Sequence, residues 1–159
     1  QNPSITKKSI KKAIHIDALD ISEPALIVAE KNAERNRVSQ QPAIRFFQSN
    51  MFQNVEEQYD VIVSNPPYIP SAVVDGLMEE VKDHEPRLAL DGTEDGLFFY
   101  RILAKESKNY LKPGGRLYLE IGHDQGVSVP RLLTEAGFIR IEVKKDLAGC
   151  DRAVAAVFP

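Results

Sequence analysis

A six-residue run, Tyr59-Asp60-Val61-Ile62-Val63-Ser64, stops at Asn65-Pro66-Pro67-Tyr68, and this junction constrains the fold more than any other stretch of the chain. A short β-branched apolar run of this kind reads as a parallel strand covered on both faces. Two successive prolines cannot continue a β-ladder, because each lacks the N–H donor and fixes φ. The strand therefore ends at Ser64, and whatever follows is aimed by rigid backbone.

The surrounding sequence alternates strand and helix. Residues 13–20 set Ile14, Ile16 and Ala18 against polar partners and read as a strand that ends in Leu19-Asp20. Ser22 is placed to cap a helix running to about Arg35. Glu23 and Pro24 occupy its first turn, and Leu26, Ala29 and Ala33 share one face. Residues 43–48 form a short strand. From Asn65 to about Gly96 the chain reads as irregular, with one helical turn near Leu77 to Val81. Leu97 to Leu111 is a helix with Phe99, Ile102, Leu103 and Tyr110 on one face, and Lys112-Pro113-Gly114-Gly115 is a turn signal. Arg116 to Ile121 is a strand, and Val127 to Ala136 is a helix capped by Gly137. Ile139 to Leu147 and Ala153 to Phe158 pair as a hairpin around residues 148–151.

This order implies an α/β fold with a mostly parallel sheet and a C-terminal antiparallel hairpin. No repeat, low-complexity tract or linker divides the 159 residues, so they read as a single domain. Cys150 is the one cysteine, which excludes a disulfide scaffold and fits a cytoplasmic location. No apolar run is long enough for a membrane span. The net charge is −3, and the basic cluster at Lys7, Lys8, Lys11 and Lys12 reads as a solvated terminus, so direct nucleic-acid binding is not expected. His15, His84 and His123 are scattered and Cys150 sits alone, so no metal site is expected.

In a sheet of this type ligands bind beyond the carboxyl ends of the strands. Asp20 and Asn65 both occupy such ends and are expected to face one site. A carboxylate there can accept from two vicinal ribose hydroxyls, although an acid at a helix N-terminus is also satisfied by the dipole alone. At Asn65-Pro66-Pro67-Tyr68 the carbonyls of Asn65 and Pro66, with the Asn65 side-chain oxygen, are acceptors free of the ladder. They can grip the two hydrogens of an –NH2 group, and Tyr68 offers a flat face to a planar substrate.

The motif resembles the signature of class I S-adenosylmethionine-dependent methyltransferases that modify amino groups on planar systems. Together, ALDISEPALIVAEKNAERN, YDVIVSNPPYIP, HEPRLALDGTEDGLFFYRIL, LKPGGRLYLEIGHDQG and KKDLAGCDRAV are similar, in order, to the bacterial peptide-chain release factor glutamine methyltransferases, the HemK or PrmC family. These segments span most of residues 16–155. The resemblance implies S-adenosylmethionine as cofactor and a release factor glutamine, in a Gly-Gly-Gln motif, as substrate. It implies that Asp20 holds the cofactor ribose, that Ile21 lies against adenine, and that Asn50, Met51 and Phe52 belong to the adenine-side loop. The family has Gly-Asp where this chain has Ser49-Asn50, so the charge is gone while hydrogen-bonding capacity stays. Asn65, Pro66, Pro67 and Tyr68 are implied to bind and orient the target amide, with Asn65 also near the cofactor. Glu85, in His84-Glu85-Pro86, is implied as a loop anchor or a substrate contact.

A ribosomal-protein glutamine methyltransferase, a nucleic-acid amino-methyltransferase and a non-catalytic scaffold are the rival readings. The family places a Gly-rich turn after its first strand, whereas the first glycine here is Gly76. The resemblance therefore implies a chain that lacks the first strand, the Gly-rich loop and the N-terminal substrate-binding helical domain. Such a chain is expected to be inactive alone.

Overall fold

The computed structural model describes residues 14–36, 43–76 and 86–159. The N-terminal lysine cluster, the turn expected near Leu77 to Val81, His84 and Glu85 lie outside the described residues. The chain divides into two compact units, Gln1–Val55 and Glu56–Pro159.

In the first unit, strand β1 (His15–Asp20) leads into helix α1 (Glu23–Arg35) and strand β2 (Ala43–Gln48). The two strands pair in parallel, with Asp20 opposite Gln48 at their carboxyl ends. Ser22 caps α1 as its sequence position predicts. Its backbone is extended (φ −91°, ψ 107°) and its hydroxyl accepts the Ala25 N–H at 3.3 Å. Leu26, Ala29 and Ala33 form the less exposed face of the helix. A polar clamp ties the strands together: Arg45 donates to both carboxylate oxygens of Asp17, at 3.0 and 2.6 Å, and His15 Nε2 lies 2.9 Å from the same group.

The second unit holds strand β3 (Tyr59–Ser64), short helices α2 (Ser71–Val74) and α3 (Arg87–Leu90), helix α4 (Phe98–Tyr110), strand β4 (Leu111–Glu120), helix α5 (Ser128–Glu135) and strands β5 (Ile139–Lys145) and β6 (Asp151–Val157). Its sheet has the order β3-β4-β6-β5. β3 runs parallel to β4, and β6 is antiparallel to both β4 and β5. This sheet is mixed, with one parallel and two antiparallel pairings, the latter made by the C-terminal hairpin expected from the sequence. The reason is that β6, the return strand of the hairpin, docks directly on β4.

β4 organises the core. Leu117 and Leu119 of β4, and Ile121 just beyond its end, alternate with no more than 1% exposure, as period-2 geometry demands. They join Tyr100, Leu103 and Ala104 of α4, Val129 and Leu133 of α5, Phe138, Val154 and Ala156 in the buried set. Two expectations shift. The buried face of α4 centres on Tyr100, Leu103, Ala104 and Ser107, and Phe99, Ile102 and Tyr110 flank it half-buried. The expected turn at residues 112–115 is present, with Gly114 at φ +77°, but it lies inside β4 as a looped-out segment, because Tyr59 pairs with Leu111 and Val61 already pairs with Arg116. β3 was expected to be covered on both faces. Val61 and Val63 are instead 48% and 74% exposed, on a strand that pairs with β4 on one flank only within this unit. No helix among the described residues is long and apolar enough to cross a membrane.

The dependence on β4 is testable. Leu119→Ala, in the buried row, is expected to lower unfolding free energy by about 2–5 kcal/mol. Leu147→Ala, at the fully exposed hairpin tip, is expected to change it by less than about 0.5 kcal/mol. Urea unfolding of the two variants beside the parent checks both.

Candidate active site

The carboxyl end of β1 is built from polar pins. Asp20 Oδ1 accepts the Ser22 N–H at 2.8 Å, which turns the chain into α1. The second carboxylate oxygen has no hydrogen-bond partner among the described residues and lies on an exposed residue, so it remains available to an incoming hydroxyl. The Asp20 carbonyl accepts the Ser49 N–H at 3.0 Å, and the Ile21 carbonyl accepts Gln48 Nε2 at 2.8 Å. These two bonds hold the loop after β2 beside the end of β1, bringing Asp20, Ile21, Asn50, Met51 and Phe52 into one region.

Ser49 braces the loop that follows β2. Its side chain is buried; the hydroxyl donates to the Met51 carbonyl at 2.8 Å and accepts the Asn54 N–H at 3.1 Å. That bracing stabilises Met51 in a left-handed conformation (φ 51°), which costs a non-glycine residue free energy. Ile21 and Asn50 are exposed, Met51 is half-buried and Phe52 is buried. Phe52 therefore anchors the loop, and Ile21 and Asn50 are the members open to a ligand. Gln48 and Ser49 are the residues that sequence reasoning missed here. Their signal was positional: polar side chains directly at the end of a strand.

The second unit carries the Asn65-Pro66-Pro67-Tyr68 corner at the carboxyl end of β3. Asn65 is exposed, the Pro66 ring is buried, and Pro67 and Tyr68 are half-buried. The buried ring holds the backbone in place while Asn65 stays accessible to solvent. Beyond Tyr68 the chain is fastened to residues 90–93. Ile69 N–H donates to the Leu90 carbonyl at 3.0 Å, Gly92 N–H to the Ile69 carbonyl at 2.8 Å, and Ser71 N–H to the Thr93 carbonyl at 2.9 Å. A Cβ on Gly92 would sit 2.8 Å from Tyr68 Cα, and one on Gly96 (φ +71°) would run into the Tyr68 carbonyl oxygen. Both glycines are therefore demanded by close backbone approach.

Asp91 closes this loop. It accepts Ser71 Oγ at 2.6 Å, Thr93 N–H at 2.9 Å and Arg87 Nε at 3.0 Å. The Ser71 hydroxyl first, then the Thr93 amide and Arg87, hold its carboxyl below the ordinary carboxylate value. Under the motif, the fully buried Tyr100 donates its hydroxyl to the Glu120 carbonyl at 2.8 Å. Burial, reinforced by Tyr68 and Glu120, pushes that phenol well above its usual range, so it remains a donor at any working pH. Cys150 is an exposed free thiol.

A family profile described as methyltransferase small domain matches residues 4–146. Among curated proteins, the chain is 40% identical over 149 residues to a release factor glutamine methyltransferase of Clostridium acetobutylicum, covering 92% of this chain and 52% of that protein. It is 42% identical over 156 residues to one of Cereibacter sphaeroides, covering 98% and 55%. The chain thus spans about half the length of the curated relatives it matches. Among solved structures it is similar to a methyltransferase from Pyrococcus furiosus (TM-score 0.63, 20% identity, 89% of this chain and 61% of that one). It is also similar to a ribosomal protein L11 methylase from Lactobacillus delbrueckii subsp. bulgaricus (TM-score 0.57, 17% identity, 93% and 71%). At such identities the structures speak to the fold alone.

Two outcomes follow from the loop geometry. Gly96→Ala and Gly149→Ala both place a side chain at positive φ, costing about 1–2 kcal/mol each, but only Gly96 has backbone in the way. Gly96→Ala should cost a further ~1–3 kcal/mol by denaturant titration. For Asp91, a depressed folded pKa means that its stabilisation is present above the unfolded value and is lost as pH falls through the folded one. Ser71→Ala should move the Asp91 titration, followed by carboxyl-carbon NMR, up toward the ordinary value, and acid loosening of residues 69–71 and 87–93 should begin at higher pH.

Proposed function

Since the chain belongs to the methyltransferase small-domain family, we propose that it forms part of an S-adenosylmethionine-dependent enzyme that methylates the side-chain amide nitrogen of a glutamine in a peptide-chain release factor. The observation that carries this reading is the Asn65-Pro66-Pro67-Tyr68 corner: an exposed asparagine, a buried proline and a half-buried tyrosine at the carboxyl end of a parallel strand. The names of relatives about 40% identical across most of this chain support the choice of glutamine over a nucleobase.

The donor set at the end of β1 fits the cofactor. Asp20 keeps one carboxylate oxygen for the ribose while the other is committed to Ser22, and Ile21 offers exposed apolar surface to an adenine face. S-adenosylmethionine, when bound, supplies an electrophilic methyl on a sulfonium. An amide nitrogen is a weak nucleophile because its lone pair is delocalised into the carbonyl, so placement matters more than acid–base power. The Asn65 side-chain oxygen and the Pro66 carbonyl accept from the target –NH2 and favour a more pyramidal nitrogen. Tyr68 packs on the amide plane. Orientation of this kind is worth up to about 7–11 kcal/mol in favourable cases. The same two acceptors stabilise the positive charge that grows on nitrogen. The N-methylated amide is then a strong acid and gives its proton to water, so no dedicated base is required.

The two halves of the assignment separate by mutation in the full-length protein. Asn65→Ala should abolish methyl transfer and largely spare cofactor affinity, whereas Asp20→Ala should weaken cofactor binding by about 10–100-fold, as expected for lost charge-assisted bonds. Isothermal calorimetry with S-adenosylmethionine measures the second. Transfer of radiolabelled methyl to a release factor carrying Gly-Gly-Gln, with a ribosomal protein and a duplex oligonucleotide as rivals, measures the first. Near-normal turnover by Asn65→Ala, or labelling of the oligonucleotide instead of the release factor, would overturn the reading.

A further inference from the structure

Gln125, in Gly122-His123-Asp124-Gln125-Gly126, is 6% exposed, and both ends of its amide are committed. Its Oε1 accepts the Gly122 N–H at 2.9 Å, and its Nε2 donates to the Gly96 carbonyl at 3.1 Å and the Tyr68 carbonyl at 3.2 Å. One side chain thereby joins the turn after β4, the turn before α4 and the exit of the Asn65–Tyr68 motif. No other side-chain bond among the described residues reaches the Tyr68 carbonyl. Prolines at 66 and 67 provide no amide donors, so the middle of the motif cannot be held through backbone N–H groups.

We propose that Gln125 is a positioning residue: it fixes the Tyr68 peptide plane, and through the rigid Pro66-Pro67 pair it fixes the aim of the carbonyl and side-chain acceptors that receive the target amide. This rests on the methyl-transfer reading above. An amide is the side chain the position requires. It must accept from one backbone N–H and donate to two carbonyls, and neither a carboxylate nor an aliphatic group of that length does both. The glycines at 92 and 96 bring the backbone close enough for this single group to span the three segments.

Gln125→Glu is the decisive variant, because it keeps shape and the Gly122 contact and removes both donors. In the full-length protein its kcat for glutamine methylation should fall by about 100-fold, the scale of an ångström-level misplacement, with KM for S-adenosylmethionine unchanged. Burial beside two carbonyls raises the carboxyl pKa. As pH falls and the group protonates, its O–H regains one donor, so kcat relative to the parent should recover toward acid. Hydrogen exchange at the Tyr68 and Ile69 amides should be faster in the variant at neutral pH, with urea unfolding run alongside to normalise for folded fraction. Unchanged kcat in folded Gln125→Glu, or unchanged exchange at those amides, would overturn the proposal. If the variant does not fold, the parent protein decides. The clamp requires the Gln125 side-chain NH2 protons to exchange far more slowly than those of an exposed glutamine, and equal rates would sink it. If the parent methylates no glutamine, the functional reading fails while the exchange measurements still decide the clamp.

Discussion

The parallel pairing of β3 with the buried strand β4 is the constraint on which the second unit depends. β4 contributes the most deeply buried row of the core, and helices α4 and α5 and strand β6 all contribute to the same apolar interior. Its register with β3 runs from Val61 opposite Arg116 to Ser64 opposite Leu119. The prolines end β3 at Ser64, and the register sets that end opposite Leu119, where Asn65 leaves the sheet. Chemistry at the Asn-Pro-Pro-Tyr corner is thus positioned by hydrophobic burial one strand away. The looped-out segment at residues 112–115 has the same logic: it absorbs surplus chain without disturbing the pairing that follows it.

Around that frame, both chemically interesting regions are stabilised by side chains that serve backbone groups. Ser49, Gln48 and Asp20 satisfy backbone donors and acceptors at the end of the β1–β2 pair. Asp91 and Gln125 do the same around the Tyr68 loop. Irregular backbone near a strand end has lost its ladder partners, and unpaired groups there cost free energy unless something supplies a partner. Polar side chains near the strand ends supply it, and among the described residues neither the second Asp20 oxygen nor the Asn65 side chain is spent on such a bond.

Much of this was legible in the chain. The strand ending at Ser64, the Ser22 cap, the limits of α1 and the terminal hairpin all came from local signals, and local signals are sufficient where one residue's conformational preference decides the outcome. The face of α4 expected from spacing, Phe99, Ile102, Leu103 and Tyr110, does not include the fully buried Tyr100. An isolated helix does not reveal that a tyrosine hydroxyl finds the Glu120 carbonyl and can therefore be fully buried. The short helices α2 and α3 were missed because four-residue turns carry almost no periodicity.

By itself the sequence determined the alternation of elements, the rigid corner at Asn65-Pro66-Pro67-Tyr68 and the acid at the end of β1, because proline geometry, capping and β-branched runs act over a few residues. Only the tertiary structure decided that β6 lies between β4 and β5, that Ser49 braces the loop that follows β2, and that Gln125 reaches 57 residues back along the chain to the Tyr68 carbonyl. Those outcomes depend on which backbone groups are left unpaired once the sheet has formed. That is a property of the packed molecule, which no local pattern records.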